Sequence, residues 1–156
     1  MGIAMTLQEY LDWEDLEYDL IRHPYTSSSL YTAREAHISG QQLAKSVVVG
    51  DENGYLLAVI PATNHIEFKW LKQQLNRNFI LASENELTYM FDDCVEGAIP
   101  PLGDAYGYEV IVDDALTDLP DVYFEAGSHT DIVHISGDSF RTLMSNAVHG
   151  VFSRPF

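Results

Sequence analysis

The sequence predicts a mixed α/β or α+β domain in which β-hairpins are interleaved with short helices. Two runs rich in aliphatic and β-branched residues, Leu43 to Val49 and Tyr55 to Ile60, flank an Asn53-Gly54 turn, which is a strong hairpin signal. Apolar residues spaced three and four apart before and after this hairpin indicate helices. This order of elements does not fit a doubly wound parallel sheet. A chain of 156 residues is expected to form one domain over residues 1–156.

Before the hairpin, the sequence predicts a helix, a strand, a polar loop and a second short helix. The first helix follows from the helical spacing of its apolar residues, and Glu17 to Arg22 alternate as a strand does. Tyr25 to Ser29 are expected to form the loop. Thr32-x-x-Glu35 has the pattern of a capping box and predicts the start of the second helix, which Gly40 is expected to end.

After the hairpin, the sequence predicts three helices and three strands. Asn64 is the predicted N-cap of a helix that extends to Leu75, and Ser83-x-x-Glu86 is a second capping box at the start of the next helix. The remaining predicted elements are strands at Tyr108 to Val112, Val122 to Glu125 and Asp131 to Ile135, and a closing helix at Asp138 to Met144.

The chain is strongly acidic, with 24 acidic residues against 8 basic ones and a net charge of −16. Such a field repels a polyanion at long range, so broad nonspecific binding of nucleic acid is disfavoured. Three of the bases fall between Lys69 and Arg77, where they can form either a solvated helix face or a small contact patch. The charge therefore still permits the docking of a single nucleic-acid end.

Several classes of protein are disfavoured by what the sequence lacks. Cys94 is the only cysteine, which argues against a disulfide framework, and its acidic neighbours should raise the pKa of its thiol and make it a poor nucleophile. No apolar run approaches the roughly 20 residues that cross a bilayer, and the N-terminus lacks a basic signal-peptide start, so we expect a cytoplasmic protein. No P-loop, dinucleotide fingerprint or G-x-S-x-G motif occurs.

Lys45 is the first candidate site residue. It stands between Ala44 and Ser46, at the start of a strand that continues into three valines. A lysine in that position is partly removed from water and can still reach a cleft. The same position also suits an edge lysine whose stem covers apolar surface while its ammonium stays in water. Both interpretations remain open from the residues alone.

The second candidate is the stiff loop from Gly97 to Gly103. Pro100 and Pro101 fix their own φ angles, and the two glycines permit conformations that other residues avoid. Such a loop can present the backbone N–H groups of Ala98 and Ile99 outward, as the binding of a carbonyl oxygen or an oxyanion requires. It is equally consistent with a rigid connection between a helix and a strand.

The third candidate is His129, which follows Gly127 and Ser128 beside a predicted turn. An imidazole titrates near neutrality, so it can orient a water molecule or bind a substrate group. It can also be an ordinary hairpin residue. The other histidines lack the spacing of a metal site, and we predict neither a metal nor a cofactor.

Taken together, four segments resemble the YbaK/EbsC family over most of the chain, from about Tyr18 to His149. This family contains free-standing aminoacyl-tRNA deacylases and the editing domain of bacterial prolyl-tRNA synthetase. The order and spacing of the segments carry the resemblance. They are Ala33-x-x-Ala36-His37, Leu43-Ala44-Lys45-Ser46-Val47-Val48, Gly97-x-x-x-Pro101 followed by Leu102-Gly103, and Tyr123-Phe124-Glu125-Ala126-Gly127-Ser128-His129.

The resemblance implies a mostly antiparallel curved sheet or partial barrel flanked by helices. It also implies an editing pocket formed by the strand lysine and the G-x-x-x-P loop. The catalytic residues would then be Lys45, Gly97, Ala98 and Pro101, and the substrate-binding residues Ser46, Ile99, Pro100, Gly127, Ser128 and His129.

The function implied by this resemblance is hydrolysis of the ester that joins a small, wrongly attached amino acid to the 3′ end of a transfer RNA. The implied partner is the aminoacyl-tRNA 3′ end. An acidic enzyme of this kind can also depend on an aminoacyl-tRNA synthetase or an elongation factor to deliver the substrate. The alternative is a noncatalytic binding or regulatory module that uses the same pocket for an aminoacyl or nucleotide-like ligand.

Overall fold

The computed structural model describes residues 4–25, 28–95 and 97–156. Its helices are α1 (Met5–Trp13), α2 (Ser29–Glu35), α3 (Phe68–Leu75), α4 (Glu84–Met90), α5 (Gly103–Tyr106) and α6 (Gly137–Leu143), with a 3₁₀ turn at Asp114–Leu116. Its strands are β1 (Asp19–Arg22), β2 (Leu43–Asp51), β3 (Gly54–Pro61), β4 (Asn64–Ile66), β5 (Ile80–Leu81), β6 (Glu109–Asp113), β7 (Asp121–Glu125), β8 (Asp131–Ser136), β9 (Val148–Gly150) and β10 (Ser153–Pro155).

Within the described residues, one mixed sheet has the strand order β1-β8-β7-β2-β3-β6-β9, and β5 pairs with β2 outside this path. The pairs β1–β8, β7–β8, β2–β3 and β2–β5 are antiparallel, whereas β2–β7, β3–β6 and β6–β9 are parallel. Strands β4 and β10 form a separate antiparallel pair. The predicted fold class, a mixed and mostly antiparallel sheet flanked by helices, is confirmed.

The β2–β3 hairpin is the predicted one and lies at the centre of the sheet. Its register runs from Ala44 opposite Pro61 to Asp51 opposite Gly54. Gly54 has a φ of +134°, which a residue with a Cβ adopts only under strain, and this explains why glycine follows Asn53 in the turn. Because both strands are rich in Val, Leu and Ile, the hairpin supplies core residues to both faces of the sheet.

The alternation of β2 decides which way its candidate residues face. Ala44 and Val48 belong to the larger core, together with Ile99 and Phe124. Val49 belongs to a second core on the other side of the sheet. Because successive side chains of a strand point to opposite faces, Ser46 faces the larger core and Lys45 faces the opposite side.

The prediction for the start and end of α2 is wrong. The helix begins at Ser29, earlier than the predicted capping box, because the Ser28 side chain accepts a hydrogen bond from the Tyr31 N–H. Thr32 therefore lies inside the helix. The helix ends at Glu35, five residues before Gly40, and His37 takes the left-handed conformation that follows it, with φ of 59°. Thr26 and Ser27 of the predicted polar loop lie outside the described residues.

The predicted N-cap at Asn64 is also wrong. Asn64 lies in β4, and its side chain donates a hydrogen bond to Ser153 Oγ at 3.0 Å, across the pairing with β10. Helix α3 begins later, with Glu67 as its N-cap residue. The capping box at Ser83 and Glu86 is confirmed in both of its hydrogen bonds. Among the described residues, no helix is both long and apolar enough to span a membrane.

Candidate active site

Lys45 lies near the start of β2, and its ammonium is held by two partners from outside that strand. Nζ donates a hydrogen bond to the Asn64 carbonyl oxygen at 2.9 Å and lies 5.1 Å from the centre of the Phe156 ring. No carboxylate of the described residues comes within 4.0 Å of it. Partial burial lowers the pKa of Lys45. The chain has 24 acidic residues, yet none of those that the structure describes neutralises this ammonium.

The register of β2 against β7 places Lys45 on the same face as Glu125. The parallel pairing joins Leu43 to Tyr123 and Ala44 to Phe124, so Lys45 and Glu125 each follow directly after the last pair. Lys45 follows Ala44 and Glu125 follows Phe124, and both of these preceding residues belong to the larger core. Because successive side chains of a strand point to opposite faces, Lys45 and Glu125 point away from that core. The face that carries Lys45 thus continues onto the end of β7.

A buried polar cluster lies at that end of β7. It consists of Glu125, His129 and Thr32, each less than 5% exposed. The Thr32 hydroxyl donates a hydrogen bond to Glu125 Oε1 at 2.6 Å, and His129 Nδ1 lies 3.6 Å from the same oxygen. The His129 ring also meets the Tyr25 ring edge to face, with the ring centres 5.6 Å apart. Glu125 and Tyr25 therefore fix the orientation of the imidazole.

Burial raises the pKa of the Glu125 carboxyl above its ordinary value. The hydrogen bond from Thr32 and the nearby charges of His129 and His23 act in the opposite direction without overcoming it. A carboxyl group in such surroundings holds its proton to a higher pH than an exposed one does. A buried carboxyl group with a raised pKa is a common feature of functional sites.

The Gly97 loop reaches this cluster through Gly97. The residue has φ of +80°, and a Cβ placed on it would lie 3.3 Å from His129 Cε1. Any side chain at this position would be strained by the backbone and would press on the imidazole. The structure thus places Gly97 against His129, whose ring also lies beside Glu125.

The other predicted residues of the loop are buried, and the backbone N–H of Ala98 does not face outward as predicted. Ala98, Ile99, Pro100 and Pro101 are all buried. The Ala98 N–H donates a hydrogen bond to the Val95 carbonyl at 3.0 Å, and the Ala98 carbonyl accepts one from the Gly127 N–H at 3.0 Å. The expectation that the Ala98 N–H points outward is therefore wrong, because the turn that closes the loop uses it.

Of three further predicted residues, Gly127 and Ser128 lie beside His129, and Ser46 lies on the other face of the sheet from Lys45. Ser46 faces the larger core, and its Oγ is shielded from solvent without a hydrogen-bond partner among the described residues. Ser128 donates a hydrogen bond to Asp131 Oδ2 at 3.3 Å. Gly127 has φ of +93°, and a Cβ on it would lie 2.6 Å from Ala4 Cβ, so it lets the N-terminal segment approach closely. Gly127 and Ser128 thus shape the turn that carries His129.

Glu125 and Thr32 were not predicted as site residues. Glu125 had one sequence signal, since an acid that ends an otherwise apolar strand four residues before a histidine suggests a buried pair. Thr32 had none, because its partner lies 93 residues away. Among the described residues, no group of three or more His, Cys, Asp and Glu side chains is placed to hold a metal ion.

The surroundings of Cys94 predict an unreactive thiol. Its Sγ lies 3.2 Å from the Tyr106 hydroxyl and 3.5 Å from Asp93 Oδ1. Burial, helped by the charges of Asp93 and Asp92, raises the pKa of Cys94 to about 12. We therefore expect iodoacetamide at pH 8 to alkylate the native protein at least tenfold more slowly than the urea-unfolded protein, as followed by mass spectrometry. Equal rates would contradict this account of the thiol.

Comparison with known proteins identifies the family. The model of the aminoacyl-tRNA editing domain matches residues 23–143, a range that contains Lys45, the Gly97 loop, Glu125 and His129. This chain belongs to the aminoacyl-tRNA editing domain family. The resemblance to YbaK proteins that the sequence motifs indicate is thereby confirmed. No curated protein matches the chain by sequence.

Solved structures share the fold of this editing domain at low sequence identity. A proposed trans-editing enzyme for prolyl tRNA synthetase has a TM-score of 0.83 at 18% identity, with 97% of this chain and 96% of that chain covered. The hypothetical protein APE2540 has a TM-score of 0.83 at 20% identity, with coverage of 96% and 99%. A proposed signal transduction protein from Marinobacter aquaeolei VT8 has a TM-score of 0.76 at 20% identity, and there the match covers 95% of this chain but 30% of the other.

Proposed function

We propose that this protein, acting as a single editing domain over residues 1–156, is a trans-editing aminoacyl-tRNA deacylase. It would hydrolyse the ester between a small, wrongly attached amino acid and the 3′ end of a transfer RNA. The observation that carries the proposal is the position of Lys45, which has no carboxylate partner among the described residues. It lies on the sheet face that also carries Glu125, and His129 is next to Glu125. An ammonium so placed is available to an anionic or carbonyl-bearing substrate.

In this proposal Lys45 holds the terminal phosphate or the ester, and His129 lines the amino-acid end. Gly97 has no Cβ, so the His129 ring can pack directly against its backbone, and a larger residue at this position would displace the ring. Ala98, Ile99, Pro100 and Pro101 keep the loop rigid, since Ala98 uses both of its backbone groups internally. Gly127 and Ser128 shape the turn that carries His129, whereas Ser46 faces the larger core on the side opposite to Lys45, so we give it no direct contact with the substrate. Catalysis would rest on positioning and electrostatic stabilisation, with no covalent enzyme intermediate.

The acidic surface bears on how the substrate arrives. With a net charge of −16, the domain repels the body of a transfer RNA, so contact is confined to the 3′ end or is assisted by a partner. We propose that an aminoacyl-tRNA synthetase or elongation factor serves as that partner. Because electrostatic repulsion weakens as salt increases, hydrolysis of free aminoacyl-tRNA should lose little activity between low and moderate salt.

The proposal is tested with a panel of transfer RNAs charged with alanine, cysteine, serine and other small amino acids. Release of the labelled amino acid is followed with and without the protein. We expect hydrolysis of at least one ester well above the buffer rate. Binding of a charged transfer RNA without hydrolysis of any member would instead favour the noncatalytic binding module.

A further inference from the structure

An exposed aromatic ring lies over the lysine of the proposed editing site. Strand β10 pairs with β4, and just beyond it the Phe156 N–H donates a hydrogen bond to the Thr63 carbonyl at 3.2 Å. This places the Phe156 ring 5.1 Å from Lys45 Nζ. Residue 156 lies outside the part of the chain that matches the editing-domain model, residues 23–143.

The ring is held beside the lysine but is not part of a core. Phe156 is 77% exposed, whereas Phe91, Phe124, Phe140 and Phe152 are almost completely buried. The His65 ring lies against Phe156 with centres 5.4 Å apart and planes at 38°. An aromatic side chain left in water gains little stability for the fold, so its surface is available for another planar group.

The charges around the ring suit a nucleotide. Lys45 supplies a cation under the ring, and Arg154 supplies a second one nearby on β10. Two acids lie close to β10: the Glu67 carboxylate pairs with Arg154 at 2.6 Å and His65 at 3.2 Å, and the buried Asp113 carboxylate accepts hydrogen bonds from Ser153. Lys45 is therefore the cation that remains for a phosphate or ester, and the ring beside it can stack on a base.

We propose that Phe156 is the stacking platform for the unpaired terminal base of the transfer RNA. The base would lie on the exposed surface of the ring, while Lys45 holds the adjoining phosphate or ester. This inference rests on the proposed function and adds a subsite to it. It also offers a way for a strongly acidic protein to hold a nucleic-acid end, because base stacking does not depend on net charge.

The test compares Phe156→Leu and Phe156→Trp with the wild type. Leucine keeps an apolar cover over Lys45 but has no aromatic face, and tryptophan extends that face. Loss of one base–aromatic stack is expected to raise KM for the aminoacyl-tRNA about tenfold, with kcat changed less than threefold, while Phe156→Trp stays within threefold of the wild type. Tyr89→Ala is the matched control, since Tyr89 is an exposed ring, 89% accessible, on α4.

A second readout separates this inference from the proposed function. Binding of uncharged transfer RNA that ends in its single-stranded 3′ terminus needs no hydrolysis, and we expect Phe156→Leu to weaken it about tenfold. Unchanged binding and KM in Phe156→Leu, as in Tyr89→Ala, would overturn the platform even if the wild type hydrolyses esters. Faster hydrolysis by Phe156→Leu would overturn it too, because the ring would then be a cover over Lys45. If Phe156→Leu binds transfer RNA more weakly and the wild type hydrolyses no ester, the stacking role of Phe156 is supported and the proposed deacylase activity is contradicted.

Discussion

Replacing Lys45 with methionine is expected to lower the single-turnover rate of deacylation by about 10²–10³-fold, the loss typical of one preorganised electrostatic donor. Methionine keeps the length and apolar stem of the side chain but cannot interact with a phosphate or a developing negative charge. The measurement is release of the amino acid from a mischarged transfer RNA with the enzyme in excess. Because Lys45 has no carboxylate partner among the described residues, its replacement leaves no unpaired anion behind and removes one hydrogen bond, the one to the Asn64 carbonyl.

The stability of the Lys45→Met variant separates a catalytic effect from misfolding. Burial disfavours the charged lysine, as its lowered pKa shows, so a neutral side chain of similar shape should leave the free energy of unfolding within about 1 kcal/mol of the wild type. Lys69→Met, on α3, is the matched control for loss of one positive charge in an acidic chain. A Lys45→Met variant that keeps a third or more of the activity would contradict the assigned role.

Replacing Glu125 with alanine is expected to lower the free energy of unfolding by about 3 kcal/mol, because it removes one buried hydrogen bond and one buried ion-pair contact at roughly 1–3 kcal/mol each. Thr32 loses the acceptor of its 2.6 Å hydrogen bond, and His129 loses the carboxylate 3.6 Å from its Nδ1. Urea denaturation measures the effect. Glu125→Gln retains an acceptor and should cost less. A loss below 1 kcal/mol in Glu125→Ala would contradict the buried network.

The pH dependence of Glu125→Gln checks the same network. Folding raises the pKa of Glu125 above its ordinary value of 4.5. Well below pH 4.5 the carboxyl is protonated in both the folded and the unfolded chain, so its ionisation does not change the free energy of unfolding. As the pH rises above 4.5, Glu125 loses its proton in the unfolded chain before it does so in the folded one, and the free energy of unfolding of the wild type falls. Glutamine does not ionise. The difference in stability between wild type and Glu125→Gln should therefore shrink as the pH rises from 4 to 7.

The elements that were predicted correctly are those whose signals are local. The Asn53-Gly54 hairpin and the Ser83 capping box depend on residues within a few positions of each other. Thr32 and Asn64 also carry strong local cap signals, yet the structure uses neither as a cap. Ser28 caps α2 one turn earlier, and the side chain of Asn64 bonds Ser153, 89 residues away. Competition of this kind is decided by tertiary contacts that local patterns do not contain.

The site shows the same division. Lys45, Gly97 and His129 lie in short motifs. The structure places Gly97 against His129, and Lys45 on the sheet face that also carries Glu125. The role of Glu125 depends on the fold, because its burial and its contact with Thr32 follow from the packing of α2 on the sheet. Phe156 reaches Lys45 through the pairing of β10 with β4. Each of these strands has three residues, which is too short a segment for the sequence to predict the pairing.

The central claim is that this editing domain is an active deacylase that works through Lys45. Single-turnover hydrolysis of the best substrate of the mischarged panel, compared between wild type and Lys45→Met, tests it most directly. The account predicts rapid first-order release of the amino acid by the wild type and release close to the buffer rate in Lys45→Met, with both proteins equally stable. Equal rates in the two proteins, or no acceleration by the wild type on any mischarged transfer RNA, would contradict it.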